Sequence, residues 1–208
     1  MCPWQTRPAP SLIVERVSCR PVLFFHRFAT SKALFTSWAI LGHLTENEVS
    51  VRIELADPAE ARMLTSIQAE AFDHEADLFR METNRGPDGY DSVEATRALI
   101  GSGSLWKISL GDETVGGMVV TVMGDGRARI NRIFVDPGHQ RKGVGGRAMG
   151  LIQSRYPEVT VWELDTPSWA VRNQKFYEKQ GFVHVGHTLE PVSGFILYIY
   201  RMQGAGIR

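Results

Sequence analysis

The stretch ARINRIFVDPGHQRKGVGGRAMGLIQSR, running from Ala128 to Arg155, decides the fold. Arg129 to Val135 predicts a strand, Asp136-Pro137-Gly138 a turn, and Val144 to Arg155 a helix stopped by Tyr156-Pro157. Between turn and helix lies a loop of Gln140, Arg141, Lys142, Gly143, Val144, Gly145 and Gly146. The first amides of a helix have no intrahelical partner, and the aligned peptide dipoles add partial positive charge there. Glycine at 143, 145 and 146 removes the Cβ atoms that would hold a phosphate off those amides, while Arg141 and Lys142 add full charges. We read the loop as a diphosphate cradle.

Two familiar phosphate loops do not fit. A Walker-type loop follows its last glycine with Lys and Ser or Thr, but Gly146 is followed by Arg147-Ala148. A dinucleotide fingerprint opens directly after its strand, but Gly143 comes only past the Pro-Gly turn. The stretch instead resembles the central motif of the GCN5-related N-acetyltransferase (GNAT) superfamily, Gln/Arg-x-x-Gly-x-Gly/Ala after a strand ending in Val-Asp-Pro. Here that motif stands as Gln140-x-x-Gly143-x-Gly145 after Val135-Asp136-Pro137. A second stretch, Asn173-Gln174-Lys175-Phe176-Tyr177-Glu178-Lys179-Gln180-Gly181-Phe182, looks like the same family's Asn…Phe/Leu-Tyr-Glu-Lys-x-Gly-Phe helix.

Composition narrows the rest. The 208 residues suit one ordinary domain, and no run approaches the roughly 18 apolar residues of a membrane span. Lys and Arg balance Asp and Glu at 23 each, but five of the basic residues and only one acid precede Glu46. The remainder is therefore acidic overall, and neither a nucleic-acid nor a membrane partner is expected. Both cysteines, Cys2 and Cys19, lie in the basic N-terminal piece, so the core has no cysteine nucleophile, redox pair or thiolate metal site. We expect no metal: His184 and His187, three apart on a strand, should point to opposite faces, and His74 with Glu75 and Asp77 makes no persuasive ligand set.

Residues 1–48 form an extension unlike the rest, proline-spotted and then aromatic (Phe24, Phe25, Phe28, Phe35, Trp38). It reads as a targeting segment, as an ordered extension, or as a mis-assigned start, and we favour the last. The expected location is cytoplasmic, with an organelle address in residues 1–45 left open. The domain is expected over residues 49–203. Val49 to Leu55 alternates as a strand, and Asp57-Pro58-Ala59-Glu60 opens a helix carried by Leu64, Ile67 and Ala71. His74 to Tyr90 reads as a loop or broken helix, and Asp91 and Glu94 open a second helix. Strands at 105–110, 115–123 and 129–135 precede the glycine loop and its helix; a strand at 159–165, a helix at 169–180 and strands at 183–189 and 195–201 follow. This β-α-α-β-β-β-α-β-α-β-β order is that of the GNAT acyl-CoA N-acyltransferase fold. It gives an α/β (α+β) domain: a mixed, mostly antiparallel seven-stranded sheet flanked by about four helices. The resemblance implies that the central strand and the next one run parallel and splay apart.

The central strand's alternation slips. Ile133 and Val135 share one face, Ile130 and Phe134 the other, which is the pattern a bulge produces. In the family such a bulge aligns the cofactor's pantetheine arm and thioester, a role the resemblance assigns to the backbone of Ile133, Phe134 and Val135. It also implies acetyl-CoA as cosubstrate, Tyr177 as general acid to the departing thiolate, and direct transfer in a ternary complex to a primary amine. Many members place an asparagine seven residues before the tyrosine; Ala170 stands there, and Asn173 is the substitute contact. The base is open. Glu163 is one candidate, Asp165, Glu70, Asp73 and Glu75 are others, and water is a further one. By resemblance the acceptor walls fall at about Phe72 to Tyr90 and His187 to Phe195, whose acids suit a cationic amine, on a small molecule or on a protein N-terminus or lysine. Acetyl against longer acyl donors is undecided. A homodimer through the last strands is compatible with the family. The alternative is a non-catalytic acyl-CoA-binding domain.

Overall fold

The computed structural model describes residues 50–82, 86–190 and 194–204. The extension, the strand start at Val49 and the loop residue Arg85 lie outside the described residues. Seven strands form one sheet: β1 (Val51–Leu55), β2 (Leu105–Leu110), β3 (Glu113–Gly124), β4 (Arg127–Val135), β5 (Val161–Pro167), β6 (Val183–Leu189) and β7 (Ile196–Gln203), in the spatial order β1-β2-β3-β4-β5-β7-β6. All neighbours are antiparallel except β4 and β5. The four helices are α1 (Ala61–Leu78), α2 (Val93–Gly101), α3 (Val144–Arg155) and α4 (Val171–Lys179).

Alternation along the strands sorts the core into two layers, as period-2 side chains require. Leu105, Val119 and Phe134 pack with Leu64, Ala71 and Ile100 of α1 and α2. On the other face Trp106, Met118, Ile130 and Trp162 pack with Ala148, Met149 and Ile152 of α3 and Tyr177 of α4. The slipped alternation of β4 resolves into a bulge at Asn131: Val119 pairs with Arg132, but Val120 pairs with Ile130. The extra residue returns Ile130 to the face that holds Ile133 and Val135, and it leaves Arg132 on the α1 face. At the far end of this pairing, where Gly116 faces Val135, the strands run close. A Cβ on Gly116 would lie 2.3 Å from Phe134 O, a backbone atom with little freedom to move. Gly116→Ala is therefore expected to lower stability by about 1–3 kcal/mol, measured by urea denaturation.

Several boundaries differ from the sequence reading. Asp57 and Glu60 do make a reciprocal capping box, but around a 3-10 turn at Pro58–Glu60 that leads into α1. α1 then runs through the acids to Leu78, where a loop or broken helix was expected from His74. Its buried stripe of Leu64, Gln68, Ala71 and Glu75 keeps helical spacing throughout. Ser92, not Asp91, caps α2, accepting from the Ala95 amide at 3.2 Å. His184 and His187 do not face apart: a register shift between His184 and Gly186 sets them opposite Tyr200 and Tyr198, on one face. Among the described residues no three His, Cys, Asp or Glu side chains are grouped to hold a metal.

Candidate active site

β4 and β5 pair only at Arg127, Ala128 and Arg129, opposite Val161, Trp162 and Glu163, and then separate. The Arg129–Asp165 ion pair closes the base of the fork, with Arg129 Nη2 donating to Asp165 Oδ2. Beyond it opens a cleft of about 280 Å³. Its walls bring together Ile133 on β4, Asp165 and Thr166 on β5, Asn173 and Tyr177 on α4, and Phe72 and Glu75 on α1. The 86–88 loop and Trp169, Glu190 and Phe195 close the remainder.

The loop wall is fastened to α1. Buried Gln68 donates from Nε2 to Tyr90 O, and Tyr90 returns a hydroxyl hydrogen bond to Asp73 Oδ1 at 2.9 Å. Arg132, swung onto this face by the bulge, donates to Asp88 O at 2.7 Å. Burial pulls the Arg132 guanidinium below its ordinary value, opposed by the nearby Asp88.

The cradle residues divide by role. The chain enters α3 through Arg141 at φ 60° and Gly143 at φ 82°, the left-handed region that favours glycine. No side chain caps α3, and its Arg147 amide bonds back to Gly143 O at 3.0 Å, so the preceding amides of Val144, Gly145 and Gly146 lie in the first turn. Arg141, Lys142 and Gly143 are exposed; the Val144 side chain is core. The other two glycines have a different reason. A Cβ on Gly145 would meet the Phe176 ring at 3.4 Å, and one on Gly146 the Gln180 amide at 3.2 Å, so both residues keep α4 close to α3. Gln140 is engaged locally, its Nε2 donating to Val135 O at 3.0 Å. The same Gly145 Cβ would stand 3.9 Å from Ile133 Cδ1, which sets the loop beside the cleft wall. Phe134 is buried against α1 and α2, and Val135 is buried against α3, so only their backbone can serve a ligand.

Tyr177 is buried among Phe176, Phe182 and Tyr200 while lining the cleft. Burial, and then the charges of Asp165 and Glu75, push its phenol far above the ordinary tyrosine value. These causes favour the neutral phenol. Asn173, one turn earlier, shares its face. Glu163 is not brought in: it lies outside the cleft lining, and its carboxylate accepts from Arg201 Nε at 2.8 Å. Its side chain shares a face with Asp165 but sits two residues back, where β4 still pairs with β5.

Glu75, another of the candidate bases, does line the cleft. It is 9% exposed, and its Oε2 pairs with Arg172 Nη1 at 3.3 Å. Burial raises its carboxyl above the usual value, opposed by Arg172 and His74. Trp169 and Arg172 went unnoticed as site residues; no local pattern marks them.

A forked seven-stranded sheet with two helices on each face and an uncapped helix N-terminus beside the fork is the fold of the GNAT acetyltransferases. Residues 101–184 match the model of the acetyltransferase (GNAT) domain. In sequence it is similar to the uncharacterised protein YrkN of Bacillus subtilis, 26% identical over 147 residues, spanning 68% of this chain and 77% of that one. In structure it is similar to an acetyltransferase of Thermus thermophilus, with TM-score 0.61, 19% identity and coverage of 75% and 98% of the two chains. It is also similar to the PaiA N-acetyltransferase of Thermoplasma acidophilum, solved with coenzyme A, with TM-score 0.60, 14% identity and coverage of 74% and 99%.

Proposed function

We propose that the protein transfers an acetyl group from acetyl-CoA to a primary amine. One observation carries this: the β4–β5 fork opens into a cleft that has a buried, protonated Tyr177 in its wall, with the uncapped α3 N-terminus alongside. The Val144, Gly145 and Gly146 amides, with Arg141 and Lys142, would hold the diphosphate. The backbone around the Asn131 bulge would align the thioester, and Asn173 would contact the pantetheine arm. That a fold neighbour was solved with coenzyme A supports CoA as the ligand.

Attack by the amine nitrogen forms the C–N bond and breaks the C–S bond, expelling a thiolate. A free thiol has a pKa near 8.5, so a phenol held neutral can hydrogen-bond the departing sulfur and pass it a proton. Both cysteines lie at positions 2 and 19, so no cysteine of residues 50–204 can carry the acetyl group, and transfer is direct. Holding the two reactants together supplies on the order of 7–11 kcal/mol at best. The domain would comprise residues 49–203, working in the cytoplasm.

Acetyl-CoA at saturating concentration is expected to raise the Tm by several degrees, CoA by nearly as much and ADP by less. Thiol release with an amine panel then tests transfer. A Tm unchanged by acetyl-CoA would remove the cradle, and the function with it.

A further inference from the structure

The acceptor half of the cleft holds two polar atoms without partners. Glu75 Oε1 and Trp169 Nε1 are both buried with no hydrogen-bond partner. A buried carboxylate oxygen left in this state costs stability, and such exceptions call for a specific reason. Around the two atoms the surface is aromatic. Trp169 packs between Phe79 and Phe195, with ring centroids at 5.7 and 6.4 Å, and Phe72 stands edge-on to Tyr90 at 5.7 Å.

We infer that the acceptor is a primary ammonium on an apolar stem, that its –NH3⁺ rests on Glu75 Oε1, and that Glu75 takes the first proton from it. The inference rests on the acetyl-transfer reading above. The stem would lie between Phe72, Trp169 and Phe195, where a cation and its apolar carrier are both favoured, and Trp169 Nε1–H would meet an acceptor atom of the substrate. Glu75 removes one proton and frees the nitrogen lone pair, which forms the C–N bond to the thioester carbon. The C–S bond breaks, sulfur takes the Tyr177 proton, and the second nitrogen proton replaces it. Glu75 then loses its proton to solvent, so the products are amide, CoA thiol and one proton.

The surroundings of Glu75 suit this work. A lysine-like ammonium has a pKa near 10.4, so an ordinary carboxylate is too weak a base, and burial narrows the gap by raising Glu75. Arg172, on α4, opposes that rise and favours the ionised form. The other titratable and charged groups on this cleft are Tyr177 from α4, Asp165 from β5, Arg132 from β4, Asp88 from the loop wall, and Glu190. His74 adds its influence from α1 itself.

The test is kcat/KM against pH for 2-phenylethylamine, tryptamine and a polyhydroxylated amine, in wild type, Glu75→Gln and Arg172→Met. Wild type should favour the two arylalkylamines and show a rising limb in the acid range, set by Glu75. Glu75→Gln should lose about 10²-fold in kcat/KM, with its limb moved up to the amine's own ionisation near pH 10. Arg172→Met, which leaves the carboxylate in place, should shift the acid limb to higher pH. The acetyl-CoA thermal shift, unchanged in both variants, shows that they fold. Wild-type rates and an unmoved limb in Glu75→Gln would overturn the role of Glu75 alone. Preference for the polyhydroxylated amine would overturn the apolar stem. Thiol release with no amine at all would overturn the inference and the acetyl-transfer reading together.

Discussion

Tyr177→Phe is expected to lower kcat for acetyl transfer by about 10²–10³-fold while leaving the acetyl-CoA thermal shift within a degree of wild type. The substitution keeps the ring that packs against Phe176, Phe182 and Tyr200 and deletes only the hydroxyl. On the proposed reading, the diphosphate half of the cofactor is held at α3 and not by this side chain. On the same reading, the variant would lose the proton that meets the sulfur as charge develops there, an interaction made in the transition state. Because burial and the facing carboxylates hold the phenol neutral well past its ordinary range, this group should put no falling limb on the rate profile below about pH 10. Pre-steady-state thiol release with both proteins separates the chemical step from product release. A kcat within twofold of wild type would assign the leaving group's proton to water.

How far the site could be read in advance depended on distance along the chain. The strand, turn and loop from Arg129 to Gly146 are contiguous, and their glycines, proline and charges act on neighbours, so the elements were legible. Even the bulge was visible as a slip in alternation, and the structure puts the extra residue at Asn131. Glu75 was harder. Acids at 73, 75 and 77 look like a solvated loop, and only Leu64, Gln68 and Ala71 at helical spacing could have shown that Glu75 continues the buried stripe. Its meeting with Trp169, Glu190 and Phe195 joins α1 to three segments about a hundred residues away, a juxtaposition that no local period encodes. The same limit hid a second reason for Gly145 and Gly146, whose missing side chains admit α4, a helix about thirty residues further on. The two histidines of β6 were misplaced because one register shift at Val185 reverses the parity of a strand.

Gly143→Asp should weaken acetyl-CoA binding by about 10²–10³-fold, and Gly143→Asn by about tenfold. Nothing lies within 4 Å of the added Cβ, so the substitution meets no steric obstacle, and the backbone at φ 82° is one that Asp and Asn tolerate better than other residues. Both variants should fold. Their difference isolates charge, since the side chains are nearly isosteric. A carboxylate at the start of α3 would accept from the same first-turn amides that the diphosphate needs, capping the helix with its own chain. It would also sit close to the phosphate charges, where one unit charge about 4 Å from another costs about 4 kcal/mol at an effective dielectric of 20. The two penalties act together for Asp, while Asn keeps only the capping competition. Isothermal titration at two salt concentrations decides between them. The Asp penalty should shrink as ionic strength rises, because exposed charges are screened, and the Asn penalty should not. Equal losses for the two variants would mean that the loop's shape, not its field, holds the cofactor.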